Sequence, residues 1–141
     1  MNCLNVLPLL LLPLLTPGEL EHPSGLVVIA HPDVPVTSLS SEELAHIFMG
    51  RTLEWDGGMA VVPVILSGSV HETFLRTYLK KTGDGYSAYW KRMIYTGKKK
   101  PPKSISRRDV ALVYISRTPG AIGYVAADQK LDRVKIVEIT P

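Results

Sequence analysis

A chain of 141 residues has room for one domain with a substantial core, and not for two comfortable ones. Its composition, 45% apolar and 21% charged, excludes disorder as the default state. The net charge is +3, but the first 22 residues contribute Glu19 and Glu21 with no Lys or Arg, so the remainder carries +5, which favours anions without choosing among them.

Leu4 to Leu15 is a Leu-rich run of 12 residues, too short to span a bilayer. With Thr16 and Gly18 as small residues for cleavage, it reads as an export signal. Residues 1–22 are then signal peptide and linker, 23–141 form the mature α/β domain, and the expected address is periplasmic or otherwise extracytoplasmic, with no membrane span in the mature chain. No cation precedes the run, and Pro8 and Pro13 interrupt it. A wrongly placed start or an uncleaved peripheral segment is the alternative. Cys3 is the only cysteine, so disulfides within the chain are excluded.

Leu26 to Ala30 is a continuous, largely β-branched run of the kind buried on both faces of a sheet. Ser40-Ser41-Glu42-Glu43 is a capping box, after which Leu44, Ile47 and Phe48 share a helical face until Gly50 stops the helix. Trp55 to Gly58 is a turn and Ala60 to Leu66 a second buried strand. Ser69 and Glu72 form another capping-box pattern, for a helix striped by Phe74, Leu75, Tyr78 and Leu79. Asp84 is placed to cap a third helix that turns Tyr86, Tyr89, Trp90, Met93 and Ile94 inward until Gly97. Lys98 to Lys103 reads as a basic loop. Ser106 and Asp109 open a fourth helix through Val110, Val113 and Tyr114, stopped by Pro119-Gly120. Two strands, Ala121 to Val125 and Val134 to Ile139, close the chain. Strands alternating with helices predict a mostly parallel sheet covered by helices.

The turn Ser67-Gly68-Ser69 joins the second strand to its helix. Such a corner presents unpaired N–H groups and the positive end of the helix dipole, a setting suited to an oxyanion. The alternative is that Ser69 is simply an N-cap.

Three stretches in order carry a resemblance. They are Leu39 to Gly50 with Trp55 and Gly57; Tyr89-Trp90 with Ile94 to Lys98 and Pro101-Pro102; and Thr118-Pro119-Gly120-Ala121-Ile122-Gly123-Tyr124-Val125. Together they resemble the phosphate-binding proteins of ABC transporters, in a small form carrying one lobe of the type II periplasmic-binding-protein-like fold. The resemblance implies an exported, non-enzymatic domain that binds phosphate or a similar oxyanion for uptake or sensing, with no cofactor. The family's anion loop carries an Arg, a Ser-Asp and a Ser-Gly-Thr run. Here Leu66 stands near the Arg position and the Asp is missing, so the implied contacts reduce to Ser67, Gly68 and Ser69, with His71 beside them. A buried bidentate Arg is a major source of oxyanion affinity, so the implied binding is weak. A lobe that lacks its mate exposes the face that normally meets it, which raises an alternative: a protein–protein interaction or accessory module, docking a partner or homodimerising through that face.

The basic segment Lys98 to Lys103, with Arg107 and Arg108, lacks the interleaved exposed aromatics that nucleic-acid binding needs. It reads as a solvated loop or a contact for an anionic surface or acidic partner, with no nucleic acid. His22, His31, His46 and His71 include no pair at the helical spacing of a metal site, so no metal is expected. His31 ends the first strand and His71 opens a helix, so both are placed to approach one strand-end crevice, with solvated surface histidines as the leading alternative. No nucleophile elbow, matched Cys–His pair or Ser-x-x-Lys appears, so no catalytic residue is assigned.

Overall fold

The computed structural model describes residues 25–128 and 130–141; the expected signal segment and His22 lie outside them. A single six-stranded sheet is ordered β2-β6-β1-β5-β3-β4, from β1 (Leu26–Ala30), β2 (Ser38–Ser40), β3 (Val62–Ile65), β4 (Lys103–Ser104), β5 (Ala121–Ala126) and β6 (Lys135–Thr140). β1 runs antiparallel to both its neighbours, β5 and β6, whereas β2–β6, β3–β5 and β3–β4 are parallel. The sheet is therefore mixed, with β3 parallel to both its neighbours and a separate parallel pair, β2 and β6, at the other edge. All of β1 and nearly all of β5 are buried, as their unbroken apolar runs require.

The described residues form four α-helices, α1 (Ser41–Phe48), α2 (Ser69–Phe74), α3 (Gly83–Tyr95) and α4 (Arg108–Arg117), of which α1, α2 and α4 contact the strands. A π-helical turn, Leu75–Leu79, continues α2. The Ser40 box forms as expected. The Ser40 hydroxyl accepts from the Glu43 N–H (3.1 Å) and the Glu43 carboxylate accepts from the Ser40 N–H (2.8 Å).

The other three expected caps differ. Thr82, not Asp84, caps α3 by accepting from the Gly85 N–H at 3.0 Å, and Asp84 falls in the first turn, where its charge opposes the dipole's positive end. α4 starts from Arg107 without a side-chain cap, and Asp109 pairs with Arg107 at 2.8 Å instead of closing a box with Ser106. α2 starts from Gly68, again without a side-chain cap. Its φ of 75° and ψ of −154° suit only glycine, and this pushes Ser69 into the helix as its first residue. Glu72 then has no cap partner, and its carboxylate turns toward Gly83 at the start of α3.

The helix faces also shift. α4 buries Ala111 and Ile115, while Val110 and Val113 are 46% and 49% exposed. Gly123 in β5 explains this choice. A Cβ there would lie 2.8 Å from Ile115 Cδ1 and 3.3 Å from the Val64 carbonyl oxygen, so the missing side chain lets Ile115 press onto the sheet. α3 buries Tyr86 and Trp90, but Ile94, expected inward, continues that stripe one turn too far and is 53% exposed. Two short strands, β2 and β4, add to the expected elements. β4 begins at Lys103, inside the expected basic loop.

Candidate functional site

β3, β4 and β5 are mutually parallel through β3, so their C-terminal ends open on one edge, where open α/β sheets bind ligands. The Ser67-Gly68-Ser69 turn leaves β3 at that edge. Beside it lies a crevice of about 490 Å³, lined by Ser67, Gly68 and His71 from the turn and α2, by Trp90 and Lys91 from α3, and by Pro102 from the segment before β4. Ser67, Gly68 and Ser69 are exposed. Ser69 begins the helix but does not line the crevice, so the structure brings together Ser67, Gly68 and His71 and leaves Ser69 at the margin. The capping glycine contributes no side-chain oxygen, and the first-turn N–H groups of α2 therefore keep their donors free for another acceptor.

Below the turn lies a polar relay set into an apolar wall. The buried Leu66 donates its backbone N–H to Tyr124 Oη at 3.0 Å, and Tyr124 Oη lies 2.5 Å from His71 Nδ1. Among the described residues Nδ1 is the acceptor within reach of the phenolic proton, and satisfying that buried proton places the proton of His71 on Nε2. Burial raises the Tyr124 pKa well above the ordinary phenol value and so keeps the hydroxyl protonated. Desolvation lowers the His71 pKa below the usual imidazole value, partly opposed by the Glu72 carboxylate. His71 stacks on Tyr124, with centroids 6.2 Å apart, and meets Tyr86 edge-on at 5.8 Å. Tyr86 is fixed in turn by donating to the Phe48 carbonyl at 2.7 Å. The neutral imidazole is thus an oriented polar group at the crevice floor.

This arrangement gives a pH prediction. A histidine with a depressed folded pKa contributes stability that is present above its unfolded pKa, near 6.5, and is lost as pH falls toward the folded value. Urea unfolding between pH 7.5 and 5 is expected to show that loss, with a shallower decline in His71→Gln. Parallel curves for the two proteins would remove His71 from the linkage.

His31 does not share the site. Because β1 is antiparallel to β5, Ala30 pairs with Ile122 at the start of β5 and the His31 N–H bonds the Ala121 carbonyl at 2.9 Å. His31 therefore sits at the opposite end of the sheet from the Ser67 turn, where its Nδ1 accepts the Asp33 N–H at 3.0 Å. His46 faces Glu42 one turn away at 3.9 Å. Among the described residues no three metal-ligating side chains converge, and no helix is long and apolar enough to cross a membrane.

Tyr124, Trp90 and Lys91 enter the site without a role assigned from sequence. The signal for Tyr124 was its place in a buried strand, since a buried tyrosine hydroxyl needs a partner. Lys91 gave no local signal, because only tertiary folding brings α3 alongside the β3–α2 turn.

A strand-to-helix turn at the C-terminal edge of parallel strands, within a mixed sheet covered by helices, is the architecture of one lobe of a periplasmic-binding-protein fold. The more particular likeness is to phosphate-transport receptors. An ABC-type phosphate transport receptor from Vibrio cholerae superposes with a TM-score of 0.64 at 16% identity, covering 82% of this chain and 46% of that one. PstS from Borrelia burgdorferi gives 0.62 at 17% identity, covering 82% and 47%. The chain thus spans a little under half the length of these structures, and the likeness is one of fold. Neither a protein-family model nor a curated protein matches the sequence.

Proposed function

We propose that this chain is an extracytoplasmic, non-enzymatic solute-binding lobe that holds phosphate or a similar oxyanion weakly, for uptake or sensing. Residues 1–22 serve as its signal peptide and linker, with the α/β domain, residues 23–141, following. Ser67 and Gly68 bind the anion through N–H and hydroxyl donors, Ser69 adds its first-turn N–H, and His71 donates from Nε2. The observation that carries this reading is the start of α2 on an uncapped glycine with φ 75°, beside a crevice that Lys91 also lines. The likeness in fold to a phosphate transport receptor from Vibrio cholerae is consistent with this ligand class. Weakness follows from Leu66. It is buried, its N–H is committed to Tyr124, and it brings no charge to a position where a guanidinium would bind an oxyanion in bidentate fashion.

Thermal unfolding against phosphate, sulfate and arsenate at fixed ionic strength tests the proposal. Anion at about 25 times its Kd adds about 2 kcal/mol to the folded state, a rise of roughly 7 °C in Tm. The rise is expected to saturate for one of the three anions and to disappear in the Ser67→Ala/Ser69→Ala double variant. No shift at tens of millimolar would reduce the turn to an uncapped helix start. Concentration-dependent association unaffected by phosphate would then favour an interaction module.

A further inference from the structure

Residues 85–108 hold eight of the 16 cations and none of the 13 acidic residues. Folding does not neutralise this block. Lys99 is spent internally, donating to the Met49 carbonyl (3.1 Å) and Tyr89 Oη (2.9 Å). Lys103 lies over the Tyr114 ring, Arg107 pairs with Asp109, and Arg108 donates to the Ala126 carbonyl. Lys91, Arg92, Lys98 and Lys100 are exposed and make no ion pair among the described residues. Between them, at the C-terminal end of α3, stand Ile94, 53% exposed, and Tyr95, 92% exposed. Tyr95 shares a shallow depression with Lys91, Arg92, Met93 and Lys98, so the bare ring and the cations form one patch.

We propose that this end of α3 docks on an anionic bilayer surface, with Tyr95 and Ile94 seated at the headgroup level and Lys91, Arg92, Lys98 and Lys100 facing acidic lipid headgroups. Charge complementarity and side-chain type select this partner. Tyrosine is favoured at membrane interfaces, and each cation held near an acidic leaflet adds attraction that salt screens. Lysines are depleted in protein–protein interfaces, yet three of the four free cations are lysines. A single-stranded nucleic acid needs several stacking platforms, and here Trp90 is buried and Tyr89 is half-buried, leaving Tyr95. The docking does not require an occupied crevice.

Partitioning of the full chain onto phosphatidylcholine vesicles, with and without a quarter phosphatidylglycerol, tests the proposal at about 0.1 M salt. The Leu-rich N-terminal run has no cation, so the ratio of binding to the two vesicles isolates the basic patch from it. That ratio is expected to be about tenfold or more and to fall to near one in Lys98→Glu/Lys100→Glu. It should hold in the charge-matched control Arg117→Glu/Lys130→Glu, at exposed sites elsewhere. A Tyr95→Trp reporter is expected to shift its emission to the blue on the acidic vesicles alone. A ratio near one in the unaltered chain, or a ratio lost equally in the control, would overturn the proposal. So would a reporter that stays fully hydrated while the ratio is high, since that marks a polyanion or acidic protein as the partner.

Discussion

Gly120→Ala is expected to destabilise the domain by about 3 kcal/mol, with a fall of roughly 10 °C in Tm. Two separate costs meet at this residue. Its φ of 85° lies where a side chain is strained by about 1 kcal/mol or more. In addition, a Cβ there would run into the carbonyl oxygen of Ala60, with Met59 Cγ 3.3 Å away. That oxygen belongs to backbone and cannot swing aside as a flexible side chain would. Nor can Gly120 retreat, because its own carbonyl accepts the Val62 N–H and Trp55 Nε1, both at 3.0 Å. Moving it would break the junction that brings β3 alongside β5 and would leave the buried indole N–H without its acceptor. Gly57→Ala is the control. Its φ is 96°, but nothing lies within 4 Å of the added Cβ, so strain alone should cost about 1 kcal/mol. Urea denaturation of the two variants reads the difference directly. Equal losses would mean that the close approach to Ala60 contributes nothing.

The same residue shows what the sequence carried and what it withheld. Pro119-Gly120 was readable as the stop that ends α4, because proline and glycine leave a local mark. The long apolar runs gave β1 and β5, and the Ser40 box gave the start of α1, for the same reason: the signal and the structure lie within a few residues of each other. The β3–α2 turn was legible in place but not in detail. Ser69 matched an N-cap pattern, yet the left-handed conformation of Gly68 moved the helix start by one residue and freed the donors that the cap would have used. Strand direction was not legible. The antiparallel placement of β1 sends His31 to the far end of the sheet, and no local pattern in Leu26 to His31 distinguishes the two directions. Lys91 joins the site for a related reason, since its role depends on how α3 packs on α1 and α2.

Phe74→Ala is expected to cost about 4 kcal/mol, a large share of the 5–15 kcal/mol that holds a typical domain. Phe74 is fully buried. Its ring stacks on Tyr124 with centroids 3.9 Å apart and planes 7° from parallel, meets Phe48 edge-on at 4.8 Å, and carries Tyr78 at 5.6 Å. Truncation leaves a cavity among three large rings, which cannot collapse without leaving their rotamers. The effect should also reach the candidate site. Tyr124 is held on one side by Phe74, and its hydroxyl takes the Leu66 N–H and holds His71. A ring free to tilt loosens both bonds, so the phosphate-dependent rise in Tm should shrink in Phe74→Ala by more than general destabilisation requires. Phe74→Leu separates the two effects. It fills most of the volume and should cost about 1.5 kcal/mol, yet it removes the flat surface that keeps Tyr124 in plane. If Phe74→Leu responds to phosphate as the unaltered chain does, aromatic stacking plays no part in orienting His71, and the relay stands on its hydrogen bonds alone.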